Sequence, residues 1–434
     1  MNKVKIAILG MGTVGKGVWK ILQTNASHIS KSCDYEIEIE KVLVRDIYKD
    51  RGLGLPSGIL TTNIEEIINN DEIKIVIELM HGCDEARDYI KKAINAKKHV
   101  VSANKYVIAN WGDELFGLAE QQEVMLYYEA SVGGGIPVIR EINESLTGNK
   151  IKEIIGIING TTNYILSKMT AEGVGYEEAL KDAQLKGYSE LDPTADVEGY
   201  DVVNKLAILS SLAFGAKVSP ENVYREGINN IVTKDIEYAK KFGYLIKLLA
   251  VVKQIDGKLE LRVSPTLVPK AHPIANVNDS FNAVFIKGDA IGDLMLYGRG
   301  AGDFPTGSAV VGDLISIVRN NMRFINFRLS RNYEKIKEFK KKSESVGEFY
   351  IRLNVKDKAG VLGHVATELR QNEVSIVSVT QDLEADETAC VVFTTHKCLE
   401  KNIQNAIEEV KKFEDLNCVD SILRIENFEE NKIF

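Results

Sequence analysis

At 434 residues, the chain is longer than one hydrophobic core usually spans, and about 150 residues per domain predicts two to four domains. Hydrophobic residues make up 44% and charged residues 27%, which excludes a disordered or low-complexity chain. Asp and Glu (62) outnumber Lys and Arg (54), for a net charge of −8. That excludes a dedicated binder of nucleic acid or of an anionic membrane. No window reaches the ~18 consecutive apolar residues of a membrane span. The start, MNKVKIAILGMG, lacks the long apolar region and cleavage site of a signal peptide. Cys33, Cys83, Cys390, Cys398 and Cys418 form no CxxC pair and read as thiols of a reducing compartment. A cytoplasmic, multi-domain protein is expected.

In chain order, KVKIAIL (Lys3 to Leu9) reads as a strand ending at Gly10, followed by a helix with Val14, Val18, Ile21 and Leu22 at helical spacing. EIEIEKVLV, DEIKIVIELM, HVVS and VMLYYEAS read as further strands, with DEARDYIKKAINAKK a helix between them. This alternation predicts a Rossmann-type parallel sheet over residues 1–130. From Ile151 the pattern changes. IKEIIGIIN, KLLAVVKQI and KLELRVSPTLV read as strands of an antiparallel or mixed sheet. GYEEALKDAQLKG, DVVNKLAILSSLAFG and IEYAKKFGYLIKLLA read as helices. An α+β domain is predicted over 131–330, its last helix (SAVVGDLISIVRNNMRF) returning to the first domain. Residues 331–347 are charged and weakly periodic, as a linker is. The order βαββαβ over 348–428 predicts a ferredoxin-like module.

Four stretches carry chemistry. Gly10-x-Gly12-x-x-Gly15 follows a strand and opens a helix, the context of a dinucleotide site. Arg45 follows the second strand, with Asp46 next. A guanidinium suits a 2′-phosphate and an acid the 2′-hydroxyl, so NADP and NAD both stand. In Ser102-Ala103-Asn104-Lys105, Lys105 lies where a strand runs out; it reads equally as a surface lysine or as a group at the cofactor crevice. Between Glu190 and Lys205, five acids precede an apolar helix, and Asp201 and Lys205 share a helix face. Such a pair is either ordinary helix-surface pairing or one end of a buried polar site. Finally, Glu129 precedes Gly133-Gly134-Gly135, either a hard-cation loop built on carbonyls or a hinge. The six histidines show no metal-ligand spacing.

GMGTVGKG, VSANK, YEASVGGGIPVI, NGTTNYIL, AQLKGYSELDPTADVEGYDVVNKLAIL and YGRGAGDFPTGSAVVGDL occur in this order. Together they resemble homoserine dehydrogenase of the monofunctional type. KDKAGVLGHVATEL and VSIVSVTQ resemble an ACT domain. The resemblance spans almost the whole chain. It implies interconversion of L-aspartate 4-semialdehyde and L-homoserine with NADP or NAD, a step toward threonine and methionine. It also implies roles for individual residues. Thr13, Val14, Arg45, Gly187 and Gly302 match cofactor contacts, and Lys105 a lysine near nicotinamide and substrate. Glu190 and Asp201 match the residues that hold substrate, and Lys205 the proton donor. Glu129, Val132, Gly134 and Ile136 match a sodium site. Asp357 and Gly360 lie where an ACT module binds an amino-acid effector such as threonine, and such modules pair, so a homodimer or homotetramer is expected. Ser102 stands where threonine is usual, and Leu191 where proline is common.

The expected chemistry is hydride transfer to an aldehyde, with Lys205 as general acid and base and Lys105 as second cation. The lysines are expected to titrate nearer neutrality, through desolvation and through each other's charge. A non-catalytic dinucleotide and amino-acid sensor is the rival from another class. It would not need Glu190, Asp201 and Lys205. Another dehydrogenase of an amino-acid aldehyde or oxo acid is the rival within the enzyme class.

Overall fold

The computed structural model describes residues 2–81, 84–320, 322, 338–384 and 387–428. Cys83 and residues 331–337 of the expected linker lie outside these. In chain order the first module is β1 (Asn2–Leu9), α1 (Thr13–Thr24), α2 (Ala26–Cys33), β2 (Tyr35–Leu43), β3 (Leu60–Thr61), α3 (Glu65–Ile68) and β4 (Ile73–Glu78). It continues with α4 (Asp84–Asn95), β5 (His99–Ser102), α5 (Lys105–Gln121) and β6 (Leu126–Tyr127). All six strands are parallel, in the order β3-β2-β1-β4-β5-β6. This is the doubly wound order whose switch point lies between the first and fourth strands. Ile6 and Ile8 of β1 pack with α1 and α2 on one face, while Ala7 and Leu9 pack with α4 and α5 on the other. A central strand must be apolar on both sides, and IAIL is. The VMLYYEAS strand is shorter than expected: only Leu126–Tyr127 pairs, and Glu129–Ser131 forms a 3-10 turn.

The second module holds α6 (Val138–Arg140), β7 (Ile151–Ile157), α7 (Gly160–Glu172), α8 (Tyr176–Leu185), α9 (Thr194–Val197), α10 (Tyr200–Phe214) and β8 (Tyr224–Arg225). After these come α11 (Thr233–Lys241), β9 (Tyr244–Ile255), β10 (Lys258–Pro269), β11 (Phe281–Gly288), β12 (Gly292–Arg299) and α12 (Asp303–Arg319). Strands β12-β11-β7-β9-β10 form an antiparallel run, and α7 and α10 pack on one face of it. The expected helix IEYAKKFGYLIKLLA is a helix only to Lys241. Gly243, at φ +86°, turns the chain, and Ile246 to Val252 are buried on both faces as β9. An apolar run buried on both sides satisfies either period, and the glycine decides it. Helix α12 returns to the first module, where Val310, Val311 and Leu314 pack with Val18 and Trp19. The approach is close: a Cβ on Gly17 would stand 2.0 Å from the Asp303 carbonyl oxygen.

The third module is β13 (Val346–Lys356), α13 (Val361–Gln371), β14 (Ile376–Leu383), β15 (Thr388–Thr395), β16 (Cys398–Leu399), α14 (Glu400–Val410) and β17 (Leu416–Ile425). Its antiparallel order β17-β13-β15-β14, with α13 and α14 on one face, is the ferredoxin-like arrangement. The module is not hung on a free linker. Phe339 bridges to Leu259 of β10, Lys340 donates its N–H to the Leu259 carbonyl at 2.8 Å, and β17 pairs parallel with β10 at two registers. The sheets of the second and third modules are therefore one sheet. No helix among the described residues is long and apolar enough to cross a membrane.

Candidate active site

At the switch point, Gly10 has φ +97°, and a Cβ there would stand 2.9 Å from the Leu79 carbonyl oxygen. Gly15 lies against Gly10, its Cβ position 2.5 Å from the Gly10 oxygen. Gly12, at the N-cap of α1, has no atom within 4 Å of a Cβ position, so backbone faces open space there. No acid stands in the first turn of α1. The N–H groups of Thr13 and Val14 therefore stand at a helix terminus whose positive dipole end is free. Arg45 is exposed just past β2, and makes no hydrogen bond or ion pair with any described residue. Asp46 is engaged otherwise, its carboxylate accepting the Tyr48 N–H at 2.8 Å. Gly302 caps α12 at φ +124°. Gly187, at φ +73°, lies in the exposed loop after α8.

Beside this crevice, β4 ends in a buried acid, Glu78. It accepts from Ser102 Oγ at 2.7 Å and from the Met80 N–H at 2.7 Å. Asn104 donates to Glu78 at 3.4 Å and to the Met80 carbonyl at 3.2 Å, while its own oxygen caps α5 at the Val107 N–H. Burial pushes the Glu78 carboxyl up to about 7. Glu78 and Asn104 thus fix the turn from which Lys105 emerges, as the first residue of α5.

Lys105 reaches the second module. Its Nζ stands 2.8 Å from Asp201 Oδ1, while Lys205 Nζ donates to Asp201 Oδ2 at 2.6 Å and to the Ile158 carbonyl at 2.8 Å. Asp201 sits in the first turn of α10 and Lys205 one turn on. Asn159, at the end of β7, donates to Asp201 Oδ2 at 2.9 Å and to Asp196 at 2.7 Å. The Asp201 and Lys205 side chains are 7% and 11% exposed, that of Lys105 42%. Burial opposes the charge on Asp201, but the Lys205 and Lys105 ammonium groups outweigh it and hold the carboxyl far below its ordinary range. Asp196 moves the other way, lifted by burial and by Asp201.

One expectation is corrected here. Lys105 was expected to titrate nearer neutrality; it is raised instead, by the Asp201 charge first, with Asp196 and Glu190 adding to it. A carboxylate lies between the two ammonium groups, so attraction exceeds their mutual repulsion. Asp201, the residue expected to hold substrate, is paired at both oxygens with this chain's own lysines. Exposed Glu190, by contrast, has an open carboxylate near Lys105.

The glycine loop fares differently. The Glu129 carboxylate accepts the N–H groups of Ile139 at 2.9 Å and Arg140 at 2.8 Å, capping α6, so any cation there would rely on main-chain carbonyls. Buried Asp313 of α12 accepts the Glu129 N–H at 2.8 Å and pairs with Arg140 at 3.1 Å. Burial pushes both acids up to about 7. No group of three or more His, Cys, Asp or Glu among the described residues could hold a metal. Asp357 and Gly360 lie far along the chain in the β13–α13 turn. There Gly360 has φ +95° and Asp357 accepts from Gln381 at 3.3 Å.

Asn159 and Glu78 were not singled out from sequence, whereas Asp196 is one of the five acids between Glu190 and Lys205. Asn159 carries a visible signal, since Asn before Gly-Thr-Thr is an N-cap pattern, and it does cap α7. Glu78 ends the otherwise apolar β4 at the carboxyl edge of the sheet, where ligands bind.

A dinucleotide-binding sheet joined through Lys105 to a buried carboxylate–lysine cluster of the second module defines an NAD(P)-dependent oxidoreductase. A family model described as "Homoserine dehydrogenase, NAD binding domain" matches residues 10–129, and one described as "Homoserine dehydrogenase" matches 137–315. The homoserine dehydrogenase of Synechocystis sp. is 43% identical over 97% of this chain and 99% of its own, and that of Bacillus subtilis 38% over 98% and 99%. The crystal structure of a homoserine dehydrogenase from Thiobacillus denitrificans superposes with TM-score 0.90, at 38% identity over 98% of this chain and 99% of its own. A hyperthermophilic archaeal homoserine dehydrogenase in complex with NADPH matches at TM-score 0.62 and 28% identity, over 74% of this chain and 100% of its own. The chain belongs to the homoserine dehydrogenase family.

Proposed function

We propose that the chain interconverts L-aspartate 4-semialdehyde and L-homoserine, with Lys205 as the proton donor to the substrate oxygen and the proton acceptor in reverse. The observation that carries this reading is Asp201 held between Lys205 and Lys105 at the module boundary. An ammonium has three N–H groups. Lys205 spends two, on Asp201 and Ile158, so one remains for a developing alkoxide. Asp201 and Asn159 orient Lys205. Lys105, half exposed on a different module, is the partner free to exchange toward substrate as the crevice closes. Glu190 supplies the carboxylate for the substrate ammonium.

The bare backbone at Gly12, the acid-free α1 terminus and the open Arg45 fit a dinucleotide phosphate chain and 2′-phosphate, which favours NADP beside NAD. A bound NAD(P)H supplies the hydride. The carbonyls of Val132, Gly134 and Ile136, with that of Glu129, suit a hard monovalent ion such as sodium, and the Glu129 carboxylate shapes the loop by capping α6. The third module acts as an ACT domain with an amino-acid effector, threonine by pathway logic, at the turn of Asp357 and Gly360. A cytoplasmic homodimer or homotetramer completes the reading.

Following the formation of reduced cofactor with homoserine and each dinucleotide tests this directly. Turnover with homoserine is the expected result. Its absence with both cofactors, in protein that binds NADPH, would overturn the proposal.

A further inference from the structure

Strands β10 and β17 touch at only two registers, Thr266 with Arg424 and Leu267 with Ile425. Toward the N-terminal ends of both strands they diverge. Pro265 has no N–H to offer there, and β8 takes the vacated edge of β10 at Arg262 and Val263. The wedge left open is a cavity of about 330 Å³, walled by Tyr224, Glu226 and Gly227 on one side and by β17 and α14 of the third module on the other. That volume suits a small metabolite.

Its charged groups are arranged in an order. Lys342 donates to the Tyr224 hydroxyl at 2.5 Å, and that hydroxyl donates to Glu226 at 3.2 Å. Lys342 also stands 3.2 Å from Glu400, whose other oxygen pairs with Arg424. Asp420 is already held by Arg352 at 2.6 Å. Two cations therefore share Glu400, while Glu226 has only a neutral hydroxyl as hydrogen-bond donor. Burial lifts its carboxyl, against the opposing charges of Lys342 and Arg424. One end of the wedge carries a carboxylate with no direct ion-pair partner among the described residues, and the other carries two cations on one carboxylate.

The wall leads to the active site. A Cβ on Gly227 would stand 2.5 Å from the Val197 oxygen and 2.8 Å from Glu198 Cα. Ile228 donates its N–H to Val197 at 2.8 Å, and Arg225 bonds Glu198 and stacks on Tyr200 at 3.7 Å. Val197 to Tyr200 is the turn that opens α10 and presents Asp201. No slack separates the wedge from that turn.

We propose that this wedge is a second ligand site, for a small α-amino-acid zwitterion, and that its occupancy moves the turn presenting Asp201. The ligand ammonium pairs with Glu226, and its carboxylate faces Lys342 and Arg424. Pressure on the 224–228 strand then passes through Gly227 and Arg225 to Glu198 and Asp201. The site is distinct from the β13–α13 turn. Its effect on turnover rests on the proposed catalytic role of Asp201, while binding itself does not.

The test uses the full-length enzyme, with L-alanine, L-serine and L-threonine as zwitterionic probes and propionate and propylamine as single-charge controls. Calorimetry gives affinity, and hydrogen exchange gives location. The expected result is protection of 224–231 and 416–424 by a zwitterion and by neither control, with changed exchange at 194–201. Glu226→Gln, which keeps an acceptor for Tyr224, should weaken binding about tenfold, as should Gln404→Trp, a plug at the exposed rim. Asp357→Ala should leave it unchanged, and all three variants should turn over homoserine at the wild-type rate without probe. Protection confined to the β13–α13 turn, binding lost in Asp357→Ala but kept in both wedge variants, or no zwitterion protecting 224–231 would each overturn the proposal.

Discussion

Two buried aspartates of the second module, Asp201 and Asp235, are each ion-paired, and the proposed chemistry uses only one. Asp235 accepts from Arg352 Nε at 2.8 Å, from the Tyr350 hydroxyl at 3.1 Å and from the Val232 N–H at 3.3 Å. Arg352 is 6% exposed and also pairs with Asp420. Its side-chain partners, Arg352 and Tyr350, are both buried, and the cluster pins the third module to α11. Asp201 is as deeply buried, yet one of its two lysines is 42% exposed and comes from another module. Lys205 keeps an unspent N–H besides. Burial and pairing therefore do not mark a reaction centre by themselves. In the proposed mechanism the mark is a half-exposed partner at a module boundary, free to exchange toward substrate.

The comparison breaks most sharply at Lys205. Replacing it with alanine should lower kcat about 100- to 10,000-fold, with NADPH affinity kept. Steady-state rates and cofactor titration check this, and wild-type turnover would end the assignment. On the other side, Arg352→Met strands the Asp235 carboxylate. It should cost about 3–5 kcal/mol of stability, read by denaturant unfolding, with homoserine KM unmoved in whatever protein stays folded. A loss of kcat without loss of stability would merge the two clusters into one.

Smaller effects sharpen the picture around the cofactor. Arg45→Ala should raise the KM for NADPH about tenfold and leave that for NADH alone; equal changes would remove the 2′-phosphate role. Glu78 gives a pH signature. Its carboxyl is raised in the fold from 4.5 to about 7, so its contribution to stability is full below the unfolded value and is lost as pH rises through about 7. Glu78→Gln should flatten the fall of Tm across that window. An unchanged Tm profile would show that Glu78 stays unperturbed.

Much of this was legible in the sequence, and the boundary of legibility is physical. IAILGMGTVG encodes its fold locally: a strand apolar on both faces, then glycines at fixed offsets. Asp201 and Lys205 are four apart on one helix, so their pairing follows from helical geometry. Asn159 lies 42 residues from Asp201, and Lys105 meets Asp201 only because α5 and α10 face each other across the crevice. Topology alone brings such pairs together. The 242–250 segment misled because an apolar run buried on both faces satisfies either period. The fusion of the two sheets through β10 and β17 rests on two residue pairs, too few to leave a pattern. That Lys105 would share Asp201 with Lys205 could not be read either, since the two residues lie on different modules.

The central claim is that Asp201 and Lys205 work as one unit, and a double-mutant cycle on kcat tests it most directly. Asp201→Asn, Lys205→Met and the double variant would be compared with wild type in homoserine oxidation. The account predicts strong non-additivity: the double variant should be no slower than the slower single variant, within about threefold. Losses that multiply would show that the two residues act separately, and would contradict it.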